Sequence, residues 1–356
     1  MYLRHLPILG HKVYLKIYPQ RYECKGCNAI TTQQALWRVK KSPNTIYFEE
    51  HILSQLMNST IKDVARRELV SYDVVRGIIN RYVSTEPNWD DLAEIPVLGI
   101  DEIKITKKHN DFIAIVTART SEGIKILGVL EDRLAPTVAK FLNKIPERLK
   151  KTVHTVCIDM HDGYIKAVKE VFDLKKVKIV IDRFHVAKNY RKAADELRKE
   201  EMKRLKEELP KKEYEELKGV EWAFRKKMVD LTETQLKKLF KLFSYSPILK
   251  MAYDLMNELT AIFNQNLSKK QGEKKIKKWI KSVNNSKTSC FDTFLRTLNC
   301  YWAYILNYFV NRDTSGFVEG FNNKIKVMVR YCYGFSNLEN LFKRIFISLE
   351  GDRLFA

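Results

Sequence analysis

Three aspartates each stand in or at the end of an apolar run: Asp101 in VLGIDEIKI, Asp159 in TVHTVCIDM and Asp182 in VKIVIDRFHV. A strand core tolerates an unpaired carboxylate badly, because burying the charge without a partner is costly. Either such an acid points to solvent or something positive sits beside it. Two carboxylates held close together repel, so one takes up a proton or a cation neutralises both. Hard divalent ions with oxygen ligands, Mg²⁺ or Mn²⁺, suit such a pair. Two such ions roughly 3.5 to 4 Å apart can activate an attacking oxygen and stabilise a leaving one in phosphoryl transfer. The plainer reading of each acid is a turn former or a helix cap, so the case for chemistry depends on whether the fold brings two of them together.

The elements around these acids predict that it does. Strands are expected at 97–105, at 111–120 (DFIAIVTART) and at 124–132 (IKILGVLED), joined by short polar links as in an antiparallel meander. A helix over APTVAKFLNKI follows, with Pro136 near its start, where a missing N–H does no harm. TVHTVCIDM reads as a buried strand ending in Asp159, GYIKAVKEVF as a helix, and VKIVIDRFHV as a further apolar strand ending in Asp182, with His185 beside that end. The order β-β-β-α-β-α-β-α predicts a mixed α/β sheet with helices on both faces, the ribonuclease-H-like topology. In that topology the first and fourth strands are neighbours, and Asp101 and Asp159 come within reach of one cation. Strand alternation sends Glu102 to the opposite face. Asp162 is placed to cap the helix after the second acid.

Composition narrows the function. The chain has 356 residues, 45% of them hydrophobic, enough for a sizeable core in more than one unit. Its formal net charge of +21 suits a polyanion, most often nucleic acid, although a lysine-rich surface alone would give the same figure. No apolar run is long enough to span a bilayer. Met1 to Gly10 has no signal-peptide core, and six cysteines with one close pair argue against a disulfide framework. A cytoplasmic, nucleoid-associated protein is expected.

Near the C-terminus, NRDTSGFVEGFNNKIKVMVRYCYGF places Glu319 at the start of a helix whose apolar face is Val318, Phe321, Ile325 and Met328. Asn322 and Lys326 fall one and two turns beyond it. Alone, Glu319 would be a solvated helix charge. Together, GIDE, CIDMHDGYIKAV, IVIDRFHVAK and SGFVEGFNNKIKVMVRYCYGF resemble the ordered motifs of the ISL-three family of DDE transposases, encoded by insertion sequences. The resemblance runs from about residue 1 to the end. It implies a catalytic triad of Asp101, Asp159 and Glu319 holding two Mg²⁺ or Mn²⁺ ions. It also implies an enzyme that cuts and transfers DNA at transposon ends without a covalent intermediate. Asp182 and His185 would stand behind the metal ligands or touch DNA. Lys324 and Lys326 could neutralise phosphates.

Five units follow: 1–40 as a partial zinc ribbon, 45–85 as a helix-turn-helix, 96–190 and 312–356 as the two parts of the catalytic core, and 191–311 as an all-α insertion. Thr60 and Ser71 are fitting N-caps in the helix-turn-helix, whose last helix offers Tyr72, Arg76, Asn80 and Arg81 to DNA. Its plainer rival is a simple three-helix bundle. Cys24 and Cys27 in CKGC make one zinc knuckle, but a structural zinc wants four ligands, and only His5 and His11 lie upstream. The family resemblance implies an earlier Cys pair that would precede Met1, and the expected partner of the knuckle is that pair. The insertion's lysine-rich faces and aromatics suit DNA binding, hairpin stabilisation or dimer contacts, or simply a charged surface over a packed core. DNA, as ends and target, is the expected partner, bound by a homodimer or higher oligomer. The competing functions are a DNA-binding regulator and a structure-selective nuclease.

Overall fold

A computed structural model describes residues 1–33, 35–39, 42–84, 86–104, 112–286, 288–332 and 337–355; the side chains of 317–319, 338, 350 and 352–355 lie outside that description. Two small hairpins open the chain: β1 (Tyr2–Ile8) with β2 (His11–Lys16), and β3 (Arg21–Glu23) with β4 (Ile30–Thr32). β1 leans on the helices that follow, with Leu3 buried and Arg4 exchanging backbone hydrogen bonds with Pro43 and Thr45.

Helices α1 (Ile46–Gln55), α2 (Ile61–Glu68) and α3 (Tyr72–Tyr82) each begin on a hydroxyl. Thr45, Thr60 and Ser71 accept from the N–H groups of Phe48, Asp63 and Val74, which removes one orphan donor per helix. Their apolar faces meet in a core of Phe48, Ile52, Leu53, Val64, Val75, Ile78 and Ile79. Within it Glu49 is fully buried and held by Ser42 Oγ at 2.6 Å and Arg81 Nε at 3.2 Å, so its charge is paired.

The central sheet follows. β5 (Val97–Lys104), β6 (Phe112–Thr120) and β7 (Gly123–Leu130) form an antiparallel meander. After α4 (Ala135–Asn143) and α5 (Glu147–Lys150), the strand β8 (Thr155–Ile158) joins β5 in parallel. After α6 (Asp162–Val171), the strand β9 (Lys178–Ile181) joins β8 in parallel, giving the order β7-β6-β5-β8-β9. The strand ends at Ile181, one residue short of the expected Asp182. Asp182 instead caps α7 (Arg183–Glu208) by accepting from Phe184 N at 3.1 Å, and His185 sits in that helix's first turn. Asp162 does not cap α6 either; it opens the helix and accepts from the Tyr301 hydroxyl at 3.0 Å.

Among the described residues eight further α-helices follow α7 up to Asn311: α8 (Lys211–Glu216), α9 (Val220–Phe224), α10 (Glu233–Tyr245), α11 (Pro247–Asn264), α12 (Lys269–Asn285), α13 (Asp292–Cys300), α14 (Trp302–Leu306), which packs against β9, and α15 (Tyr308–Asn311). Their core is continuous with that of the sheet, reaching both faces of β8 and β9. On β5 to β7 a separate face carries Ile103, Ile113, Ile115 and Ile126, covered by α16 (Gly316–Tyr331) and α17 (Leu338–Phe355) through Ile325, Met328, Leu341 and Ile345. No described helix is long and apolar enough to cross a membrane.

Candidate active site

The parallel register aligns the acids. Ile100 pairs with Ile158 and Ile158 with Ile181, so Asp101, Asp159 and Asp182 each stand one residue further, at the same level of three adjacent strands. His185, brought over by the first turn of α7, lies between two of them. Its Nδ1 is 2.9 Å from Asp159 Oδ1 and its Nε2 is 3.8 Å from Asp101 Oδ1. Asp101 is 8% exposed, and its side chain points to the sheet face covered by α16. Glu102, on the opposite face, accepts from Arg133 Nη1 at 2.6 Å.

α16 closes the site from that side. Asn322, itself buried, donates Nδ2 to Asp101 Oδ2 at 2.5 Å. Glu319 lies one turn earlier on α16, and its side chain is outside the described residues. The segment leading into α16 is fastened at two points. Asp313 is buried and accepts from Thr155 Oγ1 at 2.8 Å and from Arg119, and Ser315 Oγ donates to Asp182. Sequence reasoning placed Asn322 one turn beyond Glu319 without giving it a role, and passed over Asp313 and Ser315. Their only signal was position, in the stretch NRDTSGFVEGFNN around Glu319.

Burial pushes the Asp101 carboxyl above the usual carboxylate range, with His185 pulling the other way. Burial pushes Asp159 upward as well, but the hydrogen bond and charge of His185 outweigh it, and Asp159 ends below its usual value. For His185 burial favours the neutral ring, yet Asp159, Asp101 and Asp182 together raise its pKa. The two carboxylates thus favour a proton on the His185 ring that lies between them.

These residues fit a divalent cation. Ligand atoms of Asp101, Asp159 and His185 all lie within 4.8 Å of one another. Near them Asn322 Oδ1 and the Tyr164 hydroxyl are buried without a hydrogen-bond partner among the described residues. Buried polar atoms are rarely left so, and a bound ion with its ordered waters would satisfy them. Two carboxylates and an amide oxygen form a hard donor set of the kind Mg²⁺ and Mn²⁺ prefer.

The remaining sequence-predicted residues lie elsewhere. Lys324 and Lys326 are exposed on α16. On α3, Tyr72, Arg76 and Asn80 share one exposed face; Arg76 pairs with Asp73, and Asn80 Oδ1 accepts from Lys343 Nζ at 2.8 Å. Arg81 is turned inward to Glu49. Cys24 and Cys27 are exposed in the turn between β3 and β4, where backbone N–H groups of Gly26 and Cys27 lower the Cys24 thiol's pKa. Among the described residues no third Cys, His or acid joins them, and His5 Nδ1 is engaged with Thr45 Oγ1 at 3.0 Å.

Comparison with known proteins bears on this geometry. A sequence profile described as transposase matches residues 98–345, from β5 into α17. The transposase for insertion sequence element IS1001 of Bordetella parapertussis is 24% identical over 355 residues, covering 98% of this chain and 84% of that protein. The transposase for insertion sequence element IS1557 of Mycobacterium tuberculosis is 22% identical over 363 residues, covering 96% of this chain and 80% of its own.

Proposed function

The chain belongs to the ISL-three family of DDE transposases, and from that premise we propose that it binds the terminal inverted repeats of an insertion sequence and cuts and joins DNA there with Mg²⁺ or Mn²⁺. The observation that carries the reading is the meeting of Asp101 and Asp159 on adjacent parallel strands, with α16 held onto Asp101 by Asn322. A strand order of β7-β6-β5-β8-β9, antiparallel then parallel, supports a ribonuclease-H-like core. In this reading Asp101, Asp159 and Glu319 hold the ions. Glu319 shares a helix face with Asn322, because residues three apart lie on one side of a helix.

A bound pair of ions would neutralise the scissile phosphate and make water, and later a 3′-hydroxyl, a competent nucleophile. The protein's own groups prepare the site. Asn322 orients Asp101, and Ser315 and Asp182 anchor the start of α16. His185 balances Asp159 until a cation arrives. Lys324 and Lys326 offer charge to phosphates. α1 to α3 act as the helix-turn-helix. Arg76 reads bases from the exposed face of α3, while Asn80 and Arg81 reach DNA only by leaving Lys343 and Glu49. We propose further that the active form is a homodimer or higher oligomer on DNA, in a cytoplasmic, nucleoid-associated setting.

The test is cleavage of a duplex carrying the repeat found in the DNA flanking the gene. Glu319→Gln keeps the shape of the side chain but loses its charge. With Mg²⁺ it is expected to abolish nicking while leaving binding nearly intact, as are Asp101→Asn and Asp159→Asn. Nicking at the wild-type rate by any of the three would remove that residue from the triad.

A further inference from the structure

We propose that one face of α12, the stripe Lys270, Lys274, Lys278 and Lys281, seats the sugar-phosphate backbone of duplex DNA; this rests on the DNA-processing reading above and assigns it a surface. α12 holds seven lysines against one glutamate between residues 269 and 285. The lysines divide by partner. Lys269 reaches Asn307, Lys275 reaches Gln265, and Lys277 pairs with Glu273 at 2.7 Å. Lys270, Lys274, Lys278 and Lys281 are exposed, and no acceptor in the described structure engages them.

Their spacing of four, four and three residues keeps them on one side of the helix. With a rise of about 1.5 Å per residue, successive ammonium groups stand roughly 5 to 6 Å apart along a line of about 16 Å. A duplex presents one phosphate per strand every 3.4 Å or so of its axis, so such a line can meet several phosphates of one strand.

A solvated helix surface ordinarily alternates its charges, and the neighbouring helices do. Lys192 pairs with Glu196 and Arg204 with Glu201 on α7, Lys237 with Glu233 on α10, and Lys250 lies near Asp254 on α11. On α12 the corresponding i,i+4 neighbours are like-charged at 270/274 and 274/278, each costing the helix about 0.2–0.5 kcal/mol. That repulsion is relieved when phosphates enter.

The opposite face keeps the helix in place against it. Gly272, Ile276, Trp279 and Val283 are buried, and Trp279 Nε1 donates to Leu255 O at 2.8 Å. Gly272 lies so close to Phe309 that an added Cβ would fall 2.7 Å from the ring. Ser268 and Gln271 form a reciprocal cap at the N-terminus. The stripe is therefore displayed on a fixed scaffold.

The experiment measures the salt dependence of binding to a plain duplex of about three turns, with no repeat sequence. Replacing Lys270, Lys274, Lys278 and Lys281 together with Gln keeps helix propensity and removes the like-charge repulsion, so the fold is expected to survive. Each lost phosphate contact lowers the slope of log K against log salt by about 0.9, so the variant, with four lysines removed, is expected to lose about 3.6 units of slope. The control removes equal charge from the same insertion by Lys→Gln at Lys192, Lys199, Lys237 and Lys250, which lie near acids on other helices. It is expected to lose less than one unit. Equal losses in both variants would make the effect one of overall charge and overturn the stripe. So would an unchanged slope in the stripe variant, or stripe-dependent binding to anionic vesicles as tight as to the duplex. A wild-type protein that binds no DNA at any salt would instead overturn the transposase reading itself.

Discussion

Asn322 donates to Asp101 from a helix that begins only six residues earlier, so one neutral amide links β5 to α16. A hydrogen bond to a charged group is worth about 1.5–3 kcal/mol, and removing its donor leaves a buried carboxylate short of a partner. Asn322→Ala is therefore expected to lower stability by about 1–3 kcal/mol in a denaturant titration. It is also expected to slow Mg²⁺-dependent nicking at least tenfold while sparing DNA binding. Wild-type nicking by the variant would show that α16 needs no such link. Nothing in the sequence marked this amide, because its role exists only when α16 lies against β5. Glu49 was hidden for a similar reason: an acid in the first turn of a helix reads as solvated, and only the fold shows it buried beneath Arg81. Asp101 and Asp159 were legible because a charge inside or ending an apolar run is conspicuous by itself.

Among elements, the meander of β5 to β7 was readable from apolar runs broken by short polar links. So was the end of β9, to within one residue, but not the helix that starts there. In IVIDRFHVAK the apolar pattern continues through the turn, and the change from strand to helix depends on Asp182 capping α7. That helix is stapled further along by Asp195, which accepts from Arg198 at 2.8 Å and from Arg225, beyond α9, at 2.9 Å. Burial raises the Asp195 pKa, but the two guanidinium groups outweigh it and bring it down to about 2. A depressed carboxylate stabilises the fold above its unfolded pKa, and this contribution fades as pH falls toward the folded value. Wild type is thus expected to melt above Asp195→Asn at neutral pH, with the gap closing between about pH 4 and pH 2. A gap that persists unchanged to pH 2 would mean that packing, not the charge, holds the staple. The hairpin of β3 and β4 supplies two thiols, and a tetrahedral zinc needs four ligands. Purified 356-residue protein is expected to carry well under one zinc per chain by metal analysis. A stoichiometric, chelator-resistant zinc would require His5 to leave Thr45 or His11 to move in.

At the scale of the molecule, α17 ties the N-terminal helices to the central sheet. Arg344 is buried and donates to Leu56 O at 3.0 Å and to Ser59 O, while Ile347 completes the core of α1 to α3. Arg344→Met keeps the bulk but leaves those carbonyls unpaired, at about 1–3 kcal/mol. Calorimetry of the variant is expected to show α1 to α3 melting ahead of the sheet, where wild type melts in one step. A single unshifted transition would show that the two parts are joined by something else.

On the proposed function, the same arrangement sets when during synthesis the site can form. Both Asn322 and Ile347 leave the ribosome after α12, and translation proceeds at roughly 5–20 residues per second, N-terminal parts folding first. A growing chain therefore displays the lysines of α12 before α16 and α17 can close the proposed site. A message cut short after Asn311 would make a permanently blunt product, able to occupy DNA and crowd out the complete enzyme. Co-expressing that fragment is expected to lower the nicking by full-length protein in proportion to its dose; nicking indifferent to the fragment would show that the insertion grips nothing without α16 and α17.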